Sequence, residues 1–133
     1  MLDQGNESFN KGRFYSAENY YKSACDFACL MCPKATNSSN ILASIVVSYQ
    51  NLAELYFKKN QTSLALSQYQ ELHEKLVEFS QSQQNTESIL MVQKAILKIG
   101  TELMYITKKK KINSPHSKQV IAGIIAGEKI KLH

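Results

Sequence analysis

The chain repeats part of its own spacing of small and aromatic residues 48 positions further on. The first copy starts at a glycine and comprises Gly5, Gly12, Phe14, Ala17, Tyr21 and Ala24. The second copy has, at the same offsets, Ala53, Asn60, Thr62, Ala65, Tyr69 and Leu72. Small side chains let two antiparallel helices cross closely, and a tandem copy lets one helical pair stack on the next. The spacing therefore predicts an all-α fold of stacked antiparallel helical hairpins.

Turn-forming residues are scarce, which also favours long helices. The 133 residues include only 5 Gly and 2 Pro, too few for the many tight turns of a stranded sheet. A chain of this length can form one domain with a substantial apolar core.

Apolar periodicity and helix-ending residues predict five or six helices. The expected ranges are 2–11, 14–31, 41–58, 63–80, 86–108 and 115–131. Pro33 ends the second helix, residues 36–40 form a polar loop, residues 81–85 form a linker, and Thr86 caps the fifth helix. The sixth helix is the optional one, because Gly123 and Gly127 each cost it about 1 kcal/mol relative to alanine. Its start is expected at Ser114-Pro115.

The same periodicity predicts which side chains point inward. In the second helix these are Phe14, Ala17, Tyr20, Tyr21, Ala24, Phe27, Ala28 and Met31. In the third they include Ile41, Ile45, Tyr49, Leu52 and Tyr56, and in the fifth Leu90, Ile96, Leu97, Leu103 and Met104. Aligning Gly5, Ala53 and Gly100 gives spacings of 48 and 47, which predicts a weaker third hairpin.

The basic character of the chain is confined to its C-terminal part. Residues 108–133 contain seven lysines and one acid, whereas the first 107 residues carry nine basic and ten acidic side chains. The expected organisation is a helical-repeat domain over 1–107, followed by a basic linker and a C-terminal capping helix over 108–133. Nucleic acid is an unlikely partner for the nearly neutral body, because such binding normally uses a basic stripe.

The N-terminal residues lack the basic start and apolar segment of a secretory signal, and no apolar run is long enough to span a membrane. With three cysteines, an odd number, we expect reduced thiols and a cytoplasmic protein. Cys25, Cys29 and Cys32 have the spacing of an iron–sulfur motif, but at i, i+4 and i+7 of a predicted helix they are expected to pack in the core.

No set of catalytic residues is recognisable, so the protein is not expected to be an enzyme. The three histidines are scattered, and His73, which lies between Glu71 and Glu74 on an acidic helix, is expected at the surface. Accordingly, no metal and no cofactor is expected.

Residues 5–24 resemble a tetratricopeptide repeat, and Asn51 to Leu72 fit the same pattern moderately. Together they cover about half of the chain, with a period longer than the family's usual ~34 residues. The resemblance implies a short right-handed solenoid whose concave inner wall is made by the first helix of each hairpin. It further implies a protein–protein interaction module, an adaptor or chaperone-like protein that receives a peptide or helix in this groove.

Carried onto this sequence, the family's inner wall implies twelve partner-binding residues. These are Asn6, Phe9, Asn10, Gln50, Asn51, Glu54, Phe57, Lys58, Lys94, Lys98, Thr101 and Tyr105, with Leu2 and Leu97 at adjoining wall positions. Phe9, Phe57 and Tyr105 would supply apolar anchors for the partner.

Some family members hold a terminal carboxylate with two asparagines and three basic residues. Asn6, Asn51, Lys94 and Lys98 stand at four of these positions, whereas the fifth is Leu2. Such donors suit an acidic or carboxylate-bearing segment. The alternative is that these side chains simply solvate exposed helix faces.

Two other functions are compatible with the tail. Lys108 to Lys111 could contact nucleic acid as part of an accessory protein, contact an anionic membrane, dock on an acidic partner, or merely form a solvated helix end. The apolar residues Val120, Ile121, Ile124, Ile125 and Ile130 could cap the stack or, if undocked, form the interface of a structural homodimer.

Overall fold

The structure, a computed structural model, describes residues 1–31, 38–81 and 85–131, and for residues 31, 38, 39 and 127–131 it describes the backbone only. Within these ranges the chain forms six helices and no strand, which confirms the all-α prediction. The helices are α1 (Leu2–Asn10), α2 (Phe14–Met31), α3 (Ser38–Lys58), α4 (Thr62–Gln81), α5 (Thr86–Lys109) and α6 (Pro115–Lys131). The stacking of the hairpins into a solenoid stays a prediction.

The starts of α3 and α4 and the capping residue of α5 differ from the sequence prediction, that of α4 by one residue, Thr62 in place of Ser63. α3 begins at Ser38 rather than Ile41, so Ser38 to Asn40 are helical and not part of a loop. Small polar residues suit this position, because the N–H groups of the first turn have no acceptor within the helix and side-chain oxygens of Ser or Asn can accept from them. α5 is capped by Asn85 rather than Thr86, with Asn85 Oδ1 accepting from the Glu87 N–H at 2.7 Å. Some predicted features lie outside the described residues: the helix stop at Pro33, residues 36–37 of the polar loop, Cys32, and residues 82–84 of the linker.

The predicted start of α6 is confirmed in detail. Pro115 is its first residue, and the Ser114 hydroxyl accepts from the Ser117 N–H at 3.1 Å. The Ser117 hydroxyl in turn donates to the Ser114 carbonyl at 2.8 Å. Proline at the first position has no N–H to satisfy, and the serine supplies the missing acceptor, so the local sequence alone fixes this helix start.

Within each of the three hairpins, the two helices are joined by a turn of the same kind. Gly12, Asn60 and Lys111 each adopt a left-handed backbone, with φ of 74°, 59° and 57°. In each turn the next residue's N–H donates to a carbonyl five residues back, at 2.8 Å in all three cases, as in a Schellman motif. The third turn comes 51 residues after the second, one helical turn later than the spacing of 47 predicts. The third hairpin is therefore real, and its first helix is longer.

Lys111 carries a backbone conformation that suits glycine better than lysine. A left-handed φ of 57° crowds the Cβ of an ordinary residue, whereas glycine adopts it without this penalty. We expect Lys111→Gly to raise the free energy of unfolding by about 1 kcal/mol, measured by urea denaturation. Gly12→Ala is the reciprocal control. A Cβ there would meet no atom within 4 Å, so the expected decrease of about 1 kcal/mol in the free energy of unfolding would come from the left-handed backbone conformation alone. A loss of stability in Lys111→Gly would contradict this account.

The chain divides into two compact units, Met1–Gln68 and Tyr69–His133, with the boundary inside α4. In the first unit α2 packs against both α1 and α3. The α2 face turned to the core is narrower than predicted: Ala17, Tyr21 and Ala28 are buried, but Tyr20 and Phe27 are 40% and 54% exposed. Of the inward residues predicted on α3, Ile45, Tyr49, Leu52 and Tyr56 are buried, as expected, and Ile41 is half-buried.

In the second unit α5 packs against α6. Its buried stripe follows helical spacing and comprises Val92, Ile96, Ile99, Gly100 and Leu103. The prediction that Leu90, Leu97 and Met104 point inward is wrong, because they are 52%, 52% and 49% exposed. α5 is thus apolar on two faces, and only one of them contributes to the core.

A glycine sets the distance between α5 and α6. A Cβ placed on Gly100 would lie 3.1 Å from the Ile124 Cγ2, closer than ordinary van der Waals contact. Ile124 and Val120 are both buried, so α6 is docked through part of the apolar face predicted for it; the side chain of Ile130 lies outside the described residues.

Candidate partner-binding faces

In the first unit the predicted groove residue Asn6 is held by a tyrosine. The Tyr21 hydroxyl donates to the Asn6 Oδ1 at 2.7 Å, while Asn6 itself remains exposed. Because a hydroxyl proton is given to the amide oxygen, the amide NH₂ is left as the outward-facing group. Asn6 is thereby oriented as a hydrogen-bond donor, a feature that the spacing of residues did not predict.

A carboxylate on α3 acts on the same tyrosine. Burial raises the pKa of Tyr21, and the negative charge of Glu54 raises it further. Tyr21 therefore keeps its proton at neutral pH and remains a donor to Asn6. Glu54 is exposed, as is Lys58 one turn further on. The face near Asn6 thus carries an acid, which disfavours a ligand carboxylate at this point.

The other predicted groove residues of the first unit are less accessible. Phe9 is half-buried and its ring contacts that of Phe14, with centroids 5.7 Å apart. Phe57 is 8% exposed, so it contributes to the core and offers a partner little apolar surface. Gln50 and Asn51 are half-buried, and Asn10 is exposed.

The first unit also contains a surface cavity of about 290 Å³. The first residues of α1 line it together with α2 and α3, and half-exposed Phe27 stands among the lining residues. Its wall contains Met1, Leu2, Asp3, Ala24, Phe27, Ala28, Ser44 and Ser48. Asp3 is the one ionisable side chain in this set, and Ser44 and Ser48 are its other polar side chains.

In the second unit all the predicted groove residues lie exposed on α5. Tyr105 is 64% exposed, and Lys94, Lys98 and Thr101 are exposed as well. Leu90, Leu97 and Met104 lie along the same side of the helix, because they follow one another at intervals of seven residues. We call the residues Leu90, Lys94, Leu97, Lys98, Thr101, Met104, Tyr105 and Lys108 the α5 face.

The charge of the α5 face is positive. It carries Lys94, Lys98 and Lys108 and no carboxylate. Of the two acids on α5, Glu102 accepts a hydrogen bond from the Tyr69 hydroxyl at 3.1 Å and is half-buried, whereas exposed Glu87 lies three residues before Leu90, at the N-terminal end of the face. At the end of the face the Lys109 ammonium lies 6.0 Å from the centre of the Tyr105 ring, at the limit of a cation–π contact.

The cysteine and histidine predictions have different outcomes. Cys25 is buried, as predicted, and Cys29 is half-buried with its sulfur 3.6 Å from the Tyr49 hydroxyl, whereas Cys32 lies outside the described residues. Among the described residues no three His, Cys, Asp or Glu side chains come together as metal ligands. His73 is half-buried with a buried Nε2, so the prediction of a surface histidine is wrong.

Comparison with known families covers nearly the whole chain. A family model described as "Protein of unknown function (DUF2753)" matches residues 1–124. The chain belongs to the DUF2753 family. No curated protein and no solved structure matches this DUF2753 protein significantly. Within its described residues, every helix is too short or too polar to cross a membrane.

Proposed function

We propose that this DUF2753 protein is a non-catalytic protein–protein interaction module, an adaptor or chaperone-like protein that binds a peptide or helix of a partner. The α5 face carries the proposal. Four large apolar side chains on one helix are about half exposed or more, and lysines flank them. Contiguous exposed apolar surface with a polar rim is the usual mark of an interaction site.

The tetratricopeptide-like character of the chain is part of this proposal. It is supported by the three equivalent turns at Gly12, Asn60 and Lys111, because a repeat protein reuses one connection between its helices. A cytoplasmic location is also proposed, on the odd number of cysteines in the sequence.

The proposal is tested by charge reversal on the α5 face. Tagged full-length protein is used to capture its partner from the native lysate, and the affinity of the purified pair is measured by calorimetry. We expect Lys94→Glu with Lys98→Glu to weaken binding about tenfold or more, because two charge-assisted contacts become repulsive. The matched control is Lys11→Glu with Lys118→Glu, which makes the same change of charge just after α1 and on α6. Equal affinity of the two double variants would contradict the assignment of this face.

Truncating the chain after Thr107 is not a clean test of the alternative functions assigned to the tail. Removing residues after Thr107 would uncover the α5 surface that buried Val120 and Ile124 now cover. Glutamine substitution of exposed Lys110 and Lys111, which lie outside the α5 face, leaves α6 in place and removes charge from the basic segment instead. A nucleic-acid accessory protein would lose salt-dependent binding in this variant, whereas the proposed adaptor would keep its protein partner.

A further inference from the structure

The exposed residues of α5 follow a seven-residue repeat. Leu90, Leu97 and Met104 recur every seven positions, and Lys94, Thr101 and Lys108 recur every seven positions between them. All six side chains are exposed. Alternating steps of four and three residues along a helix produce the seam of a coiled coil, in which side chains of one helix insert between those of another.

The dimensions of the seam suit a helix rather than an extended peptide. Leu90 and Met104 lie 14 residues apart, so the three apolar side chains repeat at intervals of about 10.5 Å along the axis. A second helix presents its own side chains at the same interval, every seven residues. An extended strand advances about 3.3 Å per residue and alternates its faces, so its side chains would not keep this interval over the seam.

The charge of the seam disfavours a second copy as its occupant. A parallel symmetric pair would place Lys94, Lys98 and Lys108 of one copy beside the same lysines of the other, and in an antiparallel pair the three lysines would meet a single acid in this register, Glu87. Like charges at such a seam repel, whereas glutamates flanking the seam of the partner would pair with them. The C-terminal residues 127–133 are also basic on balance and cannot supply that complement.

We infer that the α5 face binds an acidic amphipathic helix of a partner protein, which packs lengthwise along α5 from Leu90 to Lys108 with coiled-coil spacing. This inference rests on the proposed function and makes it more specific. Leu90, Leu97 and Met104 are the apolar contacts, and the three lysines select glutamate or aspartate at the flanking positions. Over 18 residue steps the contact is about 27 Å long, so the partner segment needs about five helical turns.

The test uses a synthetic peptide as the probe, with full-length protein. The peptide has about three heptads, with leucine at the two seam positions and glutamate at the flanking ones, and carries a fluorophore for anisotropy measurements. Two control peptides are matched to it. One contains the same residues in scrambled order, and the other has lysine in place of each glutamate. We expect the acidic peptide to bind about tenfold more tightly than either, and to gain helicity on binding by circular dichroism.

Variants of the protein locate the binding site. We expect Leu97→Glu to abolish peptide binding, whereas Leu64→Glu, which changes a comparably exposed leucine on α4, should leave it unchanged. Lys94→Glu with Lys98→Glu should reverse the preference in favour of the lysine peptide. Equal binding of the scrambled peptide, or an unchanged affinity in Leu97→Glu, would overturn the inference.

Two further outcomes would also overturn it and name another occupant. The first is sedimentation as a dimer that Leu97→Glu dissociates, which would assign the face to a second copy. The second is binding to anionic lipid vesicles that Leu97→Glu removes, in the absence of peptide binding. If the partner captured from lysate depends on Lys94 and Lys98 but contacts them through a non-helical segment, this inference fails while the proposed function stands.

Discussion

Replacing Gly5 with alanine should lower the free energy of unfolding by about 2 kcal/mol. A Cβ at this position would lie 2.5 and 2.7 Å from the Cε1 and Cδ1 atoms of Tyr21, and 3.3 Å from the Cβ of Tyr20. The Tyr21 ring cannot turn aside cheaply, because it is 3% exposed and its hydroxyl is bonded to Asn6. α1 must therefore move away from α2, and the lost packing exceeds the gain of about 1 kcal/mol that alanine brings to a helix.

Gly123→Ala is the matched control for this prediction. Gly123 is also helical, but its added Cβ would meet no atom within 4 Å. It borders a cavity of about 150 Å³ lined by residues of α4 and α6, so the methyl group has room. Only the higher helix propensity of alanine over glycine then changes, so the free energy of unfolding should rise by about 1 kcal/mol. Urea unfolding followed by circular dichroism measures both changes. Similar changes of stability in the two variants would refute the close contact between α1 and Tyr21.

Local signals were enough to predict most helix ends. Gly12 and Asn60 are residues that tolerate a left-handed backbone, so the first two turns are visible in the sequence. The third turn is centred on Lys111, a residue type with no such preference, and it comes four residues after Thr107, the position that a spacing of 47 predicts. Its conformation is imposed by the helices on either side. The sequence therefore predicts the third hairpin from apolar spacing, but not the length of its first helix.

The orientation of α5 could not be predicted because the helix has two apolar stripes. Val92, Ile96 and Ile99 are spaced by four and three residues, and the exposed Leu90, Leu97 and Met104 by seven, so each set fits one side of a helix and periodicity alone does not rank them. Gly100 was the available signal, since a glycine in a helix interior often marks a close approach, here to Ile124 of α6. The misassigned residues are those of the α5 face. An apolar stripe left over after the core is complete is what a partner-binding helix presents.

The two units differ in what they could offer a ligand. The face near Asn6 combines an amide donor, Glu54 and Lys58, whereas the α5 face has three lysines and no acid. The acidic partner that we propose would therefore be attracted to the second unit rather than to the face near Asn6. The carboxylate clamp suggested by Asn6, Asn51, Lys94 and Lys98 stays a prediction, and the negative charge of Glu54 opposes its first member.

Glu18 holds α2 to α3, and its replacement by alanine should lower the free energy of unfolding by about 2 kcal/mol at neutral pH. Its carboxylate accepts from the Tyr56 hydroxyl at 2.9 Å and forms ion pairs with Lys22 at 2.9 Å and Lys59 at 3.4 Å. Tyr56 is 3% exposed, so alanine at position 18 would leave its hydroxyl without this acceptor. We expect the unpaired hydroxyl to cost more stability than the loss of the two ion pairs. Lys11→Ala, which removes only the exposed ion pair with Glu7, is the control and should change stability little.

The contribution of the Glu18 charge should depend on pH in a defined direction. Burial alone would raise the pKa of Glu18, but hydrogen bonds from Lys22 and Tyr56 and the charges of Lys22 and Lys59 hold it below the ordinary 4.5. A carboxyl whose pKa is lower in the folded state stabilises the fold above its unfolded pKa, and this stabilisation is lost as the pH falls through the folded value. The stability difference between the unmodified protein and Glu18→Gln should therefore be constant at neutral pH and shrink below about pH 4.5. Urea unfolding of both proteins across this range measures it, and a difference that persists or grows in acid would show that the folded state does not depend on the ionised carboxylate.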